Sequence, residues 1–167
     1  AYAIFEVLNA KGKDLSPIDI IKNSLFSILD ETEPVDFAEE SWKKIKSKTI
    51  GKCDIQTFYR HYWLSKYGYS TVKKLVKEFN DKIGKNQSEY TAFLKELVEA
   101  SEDYYKIVYP NKNDWSQPEE IDIYYALEAC DIFDVTQMRI FLLALFDVKR
   151  KKMISHKQFL KIIRFLE

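Results

Sequence analysis

Residues 16–30, SPIDIIKNSLFSILD, carry the clearest helix signal in the chain. Ser16 suits the capping position before a helix, and Pro17 suits the first helical position because its missing N–H group would have no partner there. Asp19 adds a carboxylate close to the positive end of the helix dipole. Apolar side chains then recur with helical spacing at Ile18, Ile21, Leu25, Ile28 and Leu29. This pattern predicts an amphipathic helix over residues 17–30.

The same signals recur along the rest of the chain. Further helix starts are indicated at four capping residues: Asp36, Asp54, Ser116 (with Pro118) and Ser155. Gly68 and Gly84 mark two helix ends. The longest periodic run covers residues 88–109, and residues 135–146 are so apolar that they predict the central buried helix.

The helical period also predicts which side chains face the core. These include Phe37, Trp42 and Ile45; Val72, Leu75, Val76 and Phe79; Ile121, Tyr124, Tyr125 and Leu127; and Phe159, Ile162, Ile163 and Leu166. No segment alternates polar and apolar residues for long, and 4 Gly and 4 Pro supply few turns. The sequence therefore predicts an all-α fold, an irregular bundle of about seven or eight helices.

The chain length fits one domain. With 167 residues, 46% of them apolar, the chain can bury one hydrophobic core. We expect a single helical domain or subdomain over residues 1–167, with a motif-bearing helix–loop–helix at 1–30 and a helical scaffold at 36–167. No apolar run approaches the roughly 18 residues of a membrane helix. We therefore expect no membrane contact and a cytoplasmic location, and Ala1, which is not an initiator Met, is expected to follow a cut inside a longer protein.

The residue types that carry most catalysis and metal binding are scarce. Cys53 and Cys130 lie far apart in sequence, so they are expected as reduced free thiols rather than as a disulfide or a metal site. His61 lies among aromatic residues and is expected to pack or hydrogen-bond rather than to catalyse, and His156 is expected on the surface. No catalytic residue and no metal site are assigned from the sequence.

The formal net charge is zero, but the charges are segregated along the chain. Residues 1–41 carry a net charge of −6, residues 42–85 carry +9, residues 86–134 carry −9 and residues 135–167 carry +6. One interpretation, which the pattern favours, is that oppositely charged segments pack side by side. The alternative is that the two basic segments form a surface for nucleic-acid phosphate. Its candidate contacts are Lys43, Lys44, Lys149, Arg150, Lys151 and Lys152.

Residues 4–23, IFEVLNAKGKDLSPIDIIKN, form the most distinctive stretch of the chain. They predict a helix end, a tight turn that contains Asn9 and Gly12, and the start of a second helix. Lys11 and Lys13, close to the positive end of that second helix, would suit a phosphate or another anion. The alternative is an ordinary hairpin of two helices with a glycine cap, and the physical pattern alone favours this alternative.

The stretch resembles the motif F-E-x-L-N-x-(R/K)-G-x-x-L-x-x-x-D-(L/I)-I-K-N of a large prokaryotic family. That family forms the ParB-like N-terminal domain of GmrSD-type, modification-dependent restriction enzymes. The matching residues are Phe5, Glu6, Leu8, Asn9, Gly12, Leu15, Asp19, Ile21, Lys22 and Asn23, with Lys11 where arginine is usual. Weaker, collinear similarity continues through Trp42, the aromatic run 58–63 and the apolar segment 141–146, so the resemblance spans essentially the whole chain.

The resemblance implies a fold and a set of partners. The family's second motif, Asp-Gly-Gln-Gln-Arg on the ParB-like sheet, does not occur in this sequence, and neither does a His-containing nuclease domain. The chain is therefore expected to be the helical C-terminal portion of a larger α/β or α+β ParB-like domain, inactive by itself. Its implied partners are the upstream ParB-like half of the same protein, DNA, and a nuclease domain or subunit.

The resemblance also implies a function. No cofactor is expected in this chain alone, but an NTP, with Mg as a candidate companion ion, is implied for the full-length protein. The residues that the resemblance places near this nucleotide are Glu6, Asn9, Lys11, Gly12, Lys22 and Asn23. The expected function is a contribution to NTP binding or hydrolysis in a DNA-targeting restriction or phage-defence protein. An alternative of a different class is a non-catalytic helical module whose charged segments dock another protein.

Overall fold

The computed structural model describes residues 15–29, 36–115 and 117–166, and these residues form eight α-helices, three short 3-10 helices and no strand. The α-helices are α1 (Pro17–Leu29), α2 (Phe37–Lys48), α3 (Ile55–Tyr67), α4 (Leu75–Lys82), α5 (Gln87–Val108), α6 (Ile121–Ile132), α7 (Met138–Arg150) and α8 (His156–Ile163). The 3-10 helices are Val72–Lys74, Lys112–Asp114 and Pro118–Glu120. The all-α prediction is confirmed for these residues.

The long helix α5 is the axis of the bundle. Helices α2 and α7 pack along it, and α7 also packs on α3, so that α3, α5 and α7 enclose the centre of the core. Helix α1 lies against α4 and α5, while α6 and α8 pack on each other at the side of the bundle formed by the second half of the chain. The largest fully buried side chains are aromatic: Trp63, Tyr59, Tyr90, Tyr104, Phe58, Phe79 and Phe159.

Capping residues set several helix starts as predicted. The Asp54 carboxylate accepts hydrogen bonds from the backbone N–H groups of Gln56 (2.8 Å) and Thr57 (2.9 Å) at the start of α3. Ser155 and Gln158 form a reciprocal capping box at the start of α8. Asp36 precedes α2 as predicted, but its side chain makes no capping hydrogen bond. Its backbone is already helical (φ −89°, ψ 0°), and a capping side chain works from an extended backbone.

Several side chains predicted to face the core are exposed instead. Val72 is 45% exposed because it lies in the 3-10 helix before α4, and Tyr125 on α6 is 48% exposed. The helix predicted at 135–146 begins only at Met138, and Val135 lies in the preceding turn. Val135 is 37% exposed, and Phe141 on the helix is 44% exposed. The predictions for α6, α7 and the turn between them were wrong because these two helices carry apolar residues on more than one side. Neighbouring helices cover only one side of each.

The remaining predictions concern the two cysteines, His156, residues 1–30, Ser116 and membrane-spanning helices. Cys53 is buried and Cys130 half-buried, and both are free thiols. His156 is exposed, as expected. Of the predicted helix–loop–helix at 1–30, only residues 15–29 fall within the described part, and Ser116 lies outside it. None of the described helices is long and apolar enough to cross a membrane.

Candidate functional site

A cavity of about 210 Å³ lies where α1, α3 and the segment leading into α4 begin. We call it the α1 cavity. Its lining among the described residues consists of apolar side chains (Pro17, Ile18, Val72, Leu75) and polar ones (Asp54, Gln56, Thr57, Tyr59, Arg60). Pro17 and Ile18 belong to the first turn of α1 and to the motif-bearing stretch 4–23, of which residues 4–14 lie outside the described part of the chain.

Local hydrogen bonds stabilise the first turn of α1. The Ser16 hydroxyl donates to the Asp19 carboxylate at 2.6 Å, and the Asp19 N–H group donates back to the Ser16 hydroxyl oxygen at 3.4 Å. Pro17 adds a fixed φ angle at the first helical position. These constraints hold Pro17 and Ile18 in place beside the first turn of α3.

Tyr59 is the most unusual residue of the lining. Its side chain is only 1% exposed, and its hydroxyl has no hydrogen-bond partner within the described part of the chain. Burial raises the pKa of this phenol well above its ordinary value, so it stays protonated and can donate. An unpaired buried hydroxyl costs about 1–3 kcal/mol. A ligand that accepted its hydrogen bond would therefore remove an existing penalty.

The charges around the cavity favour an anionic ligand. Arg60 lines it, and Lys73 and Lys74 lie between the lining residues Val72 and Leu75; these three cations form no ion pair with a described residue. The one lining carboxylate, Asp54, already accepts three hydrogen bonds at the start of α3, and the bond from the Thr57 N–H group lowers its pKa.

The described lining of the α1 cavity is suited to binding a ligand. Its described lining contains no histidine, no cysteine and no uncommitted carboxylate. Ile18, Val72 and Leu75 offer an apolar wall to a ring, while the exposed Arg60 can hold a negatively charged group. In the described residues, no cluster of three or more His, Cys, Asp or Glu side chains could hold a metal ion.

The residues implied by the family resemblance fall in three places. Glu6, Asn9, Lys11 and Gly12 lie outside the described residues. Asn23 is exposed on α1. The Lys22 ammonium lies 4.9 Å from the centre of the Phe26 ring and 5.9 Å from that of Trp42, on the side of α1 that meets α2. Neither Lys22 nor Asn23 lines the α1 cavity.

The predicted DNA-phosphate contacts differ in how far their charge is already compensated. Lys43 pairs with Glu39 at 2.8 Å, whereas Lys44 and Lys152 are exposed and have no ion pair with a described residue. The Lys149 ammonium lies 4.3 Å from the centre of the Phe159 ring, and burial lowers its pKa. Lys44 and Lys152 are therefore the freest of these six cations.

Arg150 and Lys151 hold α7 to α5. Arg150 contacts Glu99 at 3.1 Å, Asp147 at 2.7 Å, and Asp103. Lys151 contacts Glu96 and Asp147, both at 2.7 Å. The basic end of residues 135–167 thus packs against the acidic residues 86–134, which confirms side-by-side packing for these two segments.

A separate polar cluster lies inside the bundle between α3 and α5. His61 Nδ1 lies 2.6 Å from the Tyr104 hydroxyl, and Cys53 and Arg139 approach the same phenol. Burial, helped by the charge of Arg139, lowers the pKa of His61 to about 4, so its ring is neutral and its tautomer decides which of the two groups donates. Burial raises the pKa of Cys53 to about 11, and such a thiol is a poor nucleophile at neutral pH. The prediction that His61 hydrogen-bonds is confirmed.

Sequence reasoning missed Tyr59 and Arg60 as candidate ligand contacts. The only available signal was their place in the aromatic run that follows the Asp54 cap. Nothing in that run shows which hydroxyl lacks a partner. Comparisons with protein-family models, with curated proteins and with solved structures found no match to this chain.

Proposed function

We propose that this chain is the helical portion of a cytoplasmic, NTP-dependent protein of the prokaryotic restriction or phage-defence class, and that it supplies part of the nucleotide site. The supporting observation is the α1 cavity, whose lining includes Pro17 and Ile18 of the motif-bearing stretch 4–23. In this proposal the ParB-like half of the same protein completes the site, together with Glu6, Asn9, Lys11 and Gly12.

The lining suggests how a nucleotide would lie. The base or sugar packs on Ile18, Val72 and Leu75, and the phosphates lie near Arg60. Because the Tyr59 hydroxyl is buried, we infer that the lining opens on binding, so that this hydroxyl donates to a phosphate or base oxygen. Phosphate recognition by an arginine is a charge-assisted hydrogen bond, which is roughly twice as strong as a neutral one.

Nucleotide affinity should depend on Tyr59 and Arg60. Titration of a fluorescent NTP analogue with this chain, with and without Mg, should show about tenfold weaker binding for Tyr59→Phe and for Arg60→Gln, since each loses a contact of about 1–2 kcal/mol. Tyr59→Phe should not reduce the thermal stability, because the hydroxyl it removes has no partner. In the full-length protein, Asn9→Ala and Lys11→Ala should lower NTP hydrolysis.

Matched variants away from the cavity control this experiment. Tyr69→Phe removes the hydroxyl of a side chain that is 84% exposed, and Arg164→Gln removes an arginine that pairs with Asp122 instead. Both should bind the analogue like the wild type. Equal binding by all four variants would remove Tyr59 and Arg60 from the site, and wild-type hydrolysis by the Asn9 and Lys11 variants would remove the motif from it.

DNA binding is the second part of the proposal. If the basic residues contact DNA, Lys44→Gln and Lys152→Gln should weaken DNA retardation, and each should reduce the salt dependence of the binding constant by about one phosphate contact. Lys43→Gln, which removes a cation already paired with Glu39, serves as the control and should have a smaller effect.

The alternative function is a helical interaction module without chemistry. The observation that favours it is the compensation of Arg150 and Lys151 by carboxylates of the same chain, which leaves fewer cations for DNA. A chain that retards no DNA at any salt concentration and binds no NTP would favour this module over the nucleotide-dependent function.

A further inference from the structure

The turn between α6 and α7 exposes a group of large apolar side chains. Ile132 is 71% exposed and Phe133 77%, followed by Tyr125 (48%), Phe141 (44%) and Val135 (37%). We call these five residues the hairpin surface. Tyr125 and Ile132 are two helical turns apart and therefore lie on the same side of α6. Large apolar side chains grouped on a surface are typical of interaction sites.

The backbone that carries this surface is well fixed. The Phe133 N–H group donates to the Ala129 carbonyl at 3.0 Å, and the Val135 N–H group donates to the Cys130 carbonyl at 3.0 Å. Asp134 adopts the left-handed region at φ +49°, which reverses the chain. The backbone at Phe133 is thus fixed by a hydrogen-bonded turn, so binding would cost little backbone entropy there.

The hairpin surface is not needed for the core. Helix α6 buries Ile123, Ala126 and Leu127 against its neighbours, and α7 buries a separate set that includes Leu142 and Phe146. The exposed side chains remain after these contacts have been made. They are a second apolar face with no covering element among the described residues.

Acidic side chains predominate around the hairpin surface, although Arg139 lies between Val135 and Phe141 in the sequence. Residues 117–138 contain six acidic side chains and no basic one. The acidic residues are Glu119, Glu120, Asp122, Glu128, Asp131 and Asp134. Arg164 compensates Asp122, and Lys52 compensates Asp131 at 2.7 Å. Glu128 and Asp134 have no Lys or Arg partner in the described part of the chain.

We propose that the hairpin surface binds an amphipathic helix from another protein whose polar face carries lysine and arginine. Apolar residues of that helix, spaced by three and four positions, would cover Phe133 and Ile132. Its cations would meet Glu128 and Asp134. A second copy of this chain is the poorer occupant, because a symmetric contact would bring acidic residues against acidic residues.

Two designed peptides with the same apolar pattern test the proposal on the whole 167-residue chain. Each is an 18-residue leucine-based amphipathic helix; one has lysine on its polar face and the other glutamate. The lysine peptide should bind to the wild type and at least tenfold more weakly to Phe133→Ser, and the glutamate peptide should not bind. Asp134→Asn should weaken lysine-peptide binding and reduce its salt dependence.

Phe165→Ser is the matched control, because Phe165 is equally exposed (80%) but lies after α8. It should bind the lysine peptide like the wild type, and thermal melts should show that all variants fold. Equal binding of both peptides, equal binding to Phe133→Ser, or no binding would overturn the proposal. A dimer in sedimentation equilibrium that Phe133→Ser abolishes would also overturn it and assign the surface to a second copy.

Discussion

Trp63→Ala should lower the free energy of unfolding by about 3–5 kcal/mol, the usual cost of removing a large aromatic side chain from a packed core. Trp63 is 0% exposed on α3, and its ring centre lies 4.3 Å from that of Tyr67 and 6.0 Å from that of Tyr59. Its Nε1–H group donates to Glu78 on α4 at 3.0 Å. The alanine variant would lose this ring packing and the link between α3 and α4 together.

Phenylalanine variants separate the hydrogen bond from the packing. Trp63→Phe keeps a ring but loses the donor to Glu78, whereas Trp115→Phe removes an Nε1–H group that is buried without a partner in the described residues. Urea denaturation should show Trp63→Phe to be less stable than Trp115→Phe by about 1 kcal/mol. If Trp63→Ala cost less than about 1 kcal/mol, the ring would not be part of a close-packed core.

Lowering the pH from 6.5 to 4 should reduce the contribution of His61 to stability by up to about 3 kcal/mol, since each pKa unit corresponds to 1.36 kcal/mol. Burial lowers the pKa of His61 to about 4 in the folded state, from 6.5 in the unfolded chain. In this window the unfolded state binds a proton that the folded state does not. The contribution is therefore complete above pH 6.5 and lost progressively as the pH falls towards 4. Because His61 is only half-buried, solvent screening makes the full value an upper limit.

The surroundings of His61 explain the direction of this shift. The charges of Arg139 and Arg60 act with burial to lower the pKa, and Asp54 acts against them. Asp103 will add a contribution of opposite sign, because burial raises the pKa of its carboxyl to about 6 against the charge of Arg150.

His61→Asn isolates the histidine. Asparagine does not titrate, yet its amide group can donate or accept a hydrogen bond and so can still pair with the Tyr104 hydroxyl. The difference in unfolding free energy between the wild type and this variant should therefore change with pH between 4 and 6.5 and be flat above. A difference that does not change across this window would mean that His61 keeps an ordinary pKa in the folded protein.

Only part of the candidate site could be predicted from the sequence. The helix start at Ser16 and Pro17 and the cap at Asp54 were predictable, because capping chemistry depends on residues three or four positions apart. The starts of these two helices, α1 and α3, form two sides of the α1 cavity. The third side, at Val72 and Leu75, is contributed by a segment that was predicted as one helix and is divided into a 3-10 helix and α4. The unpaired hydroxyl of Tyr59 could not be predicted, since it depends on which groups of other helices surround the phenol.

The arrangement of charges was also predictable only in part. Their segregation along the chain was visible in the sequence, and it favoured side-by-side packing of opposite charges. The pairing of Arg150 and Lys151 with α5, and the freedom of Lys44 and Lys152, required the packing of α7 on α5.

The helical character of most segments, their starts and the all-α class follow from the sequence alone. The spacing of apolar residues and the capping of helix ends are local properties that act within one or two helical turns. Which apolar side of α6 and α7 is covered, which hydroxyl is left without a partner and which lysines stay free depend on the tertiary structure. The reason is physical: burial and pairing are properties of two surfaces in contact, and one helix specifies only one of them.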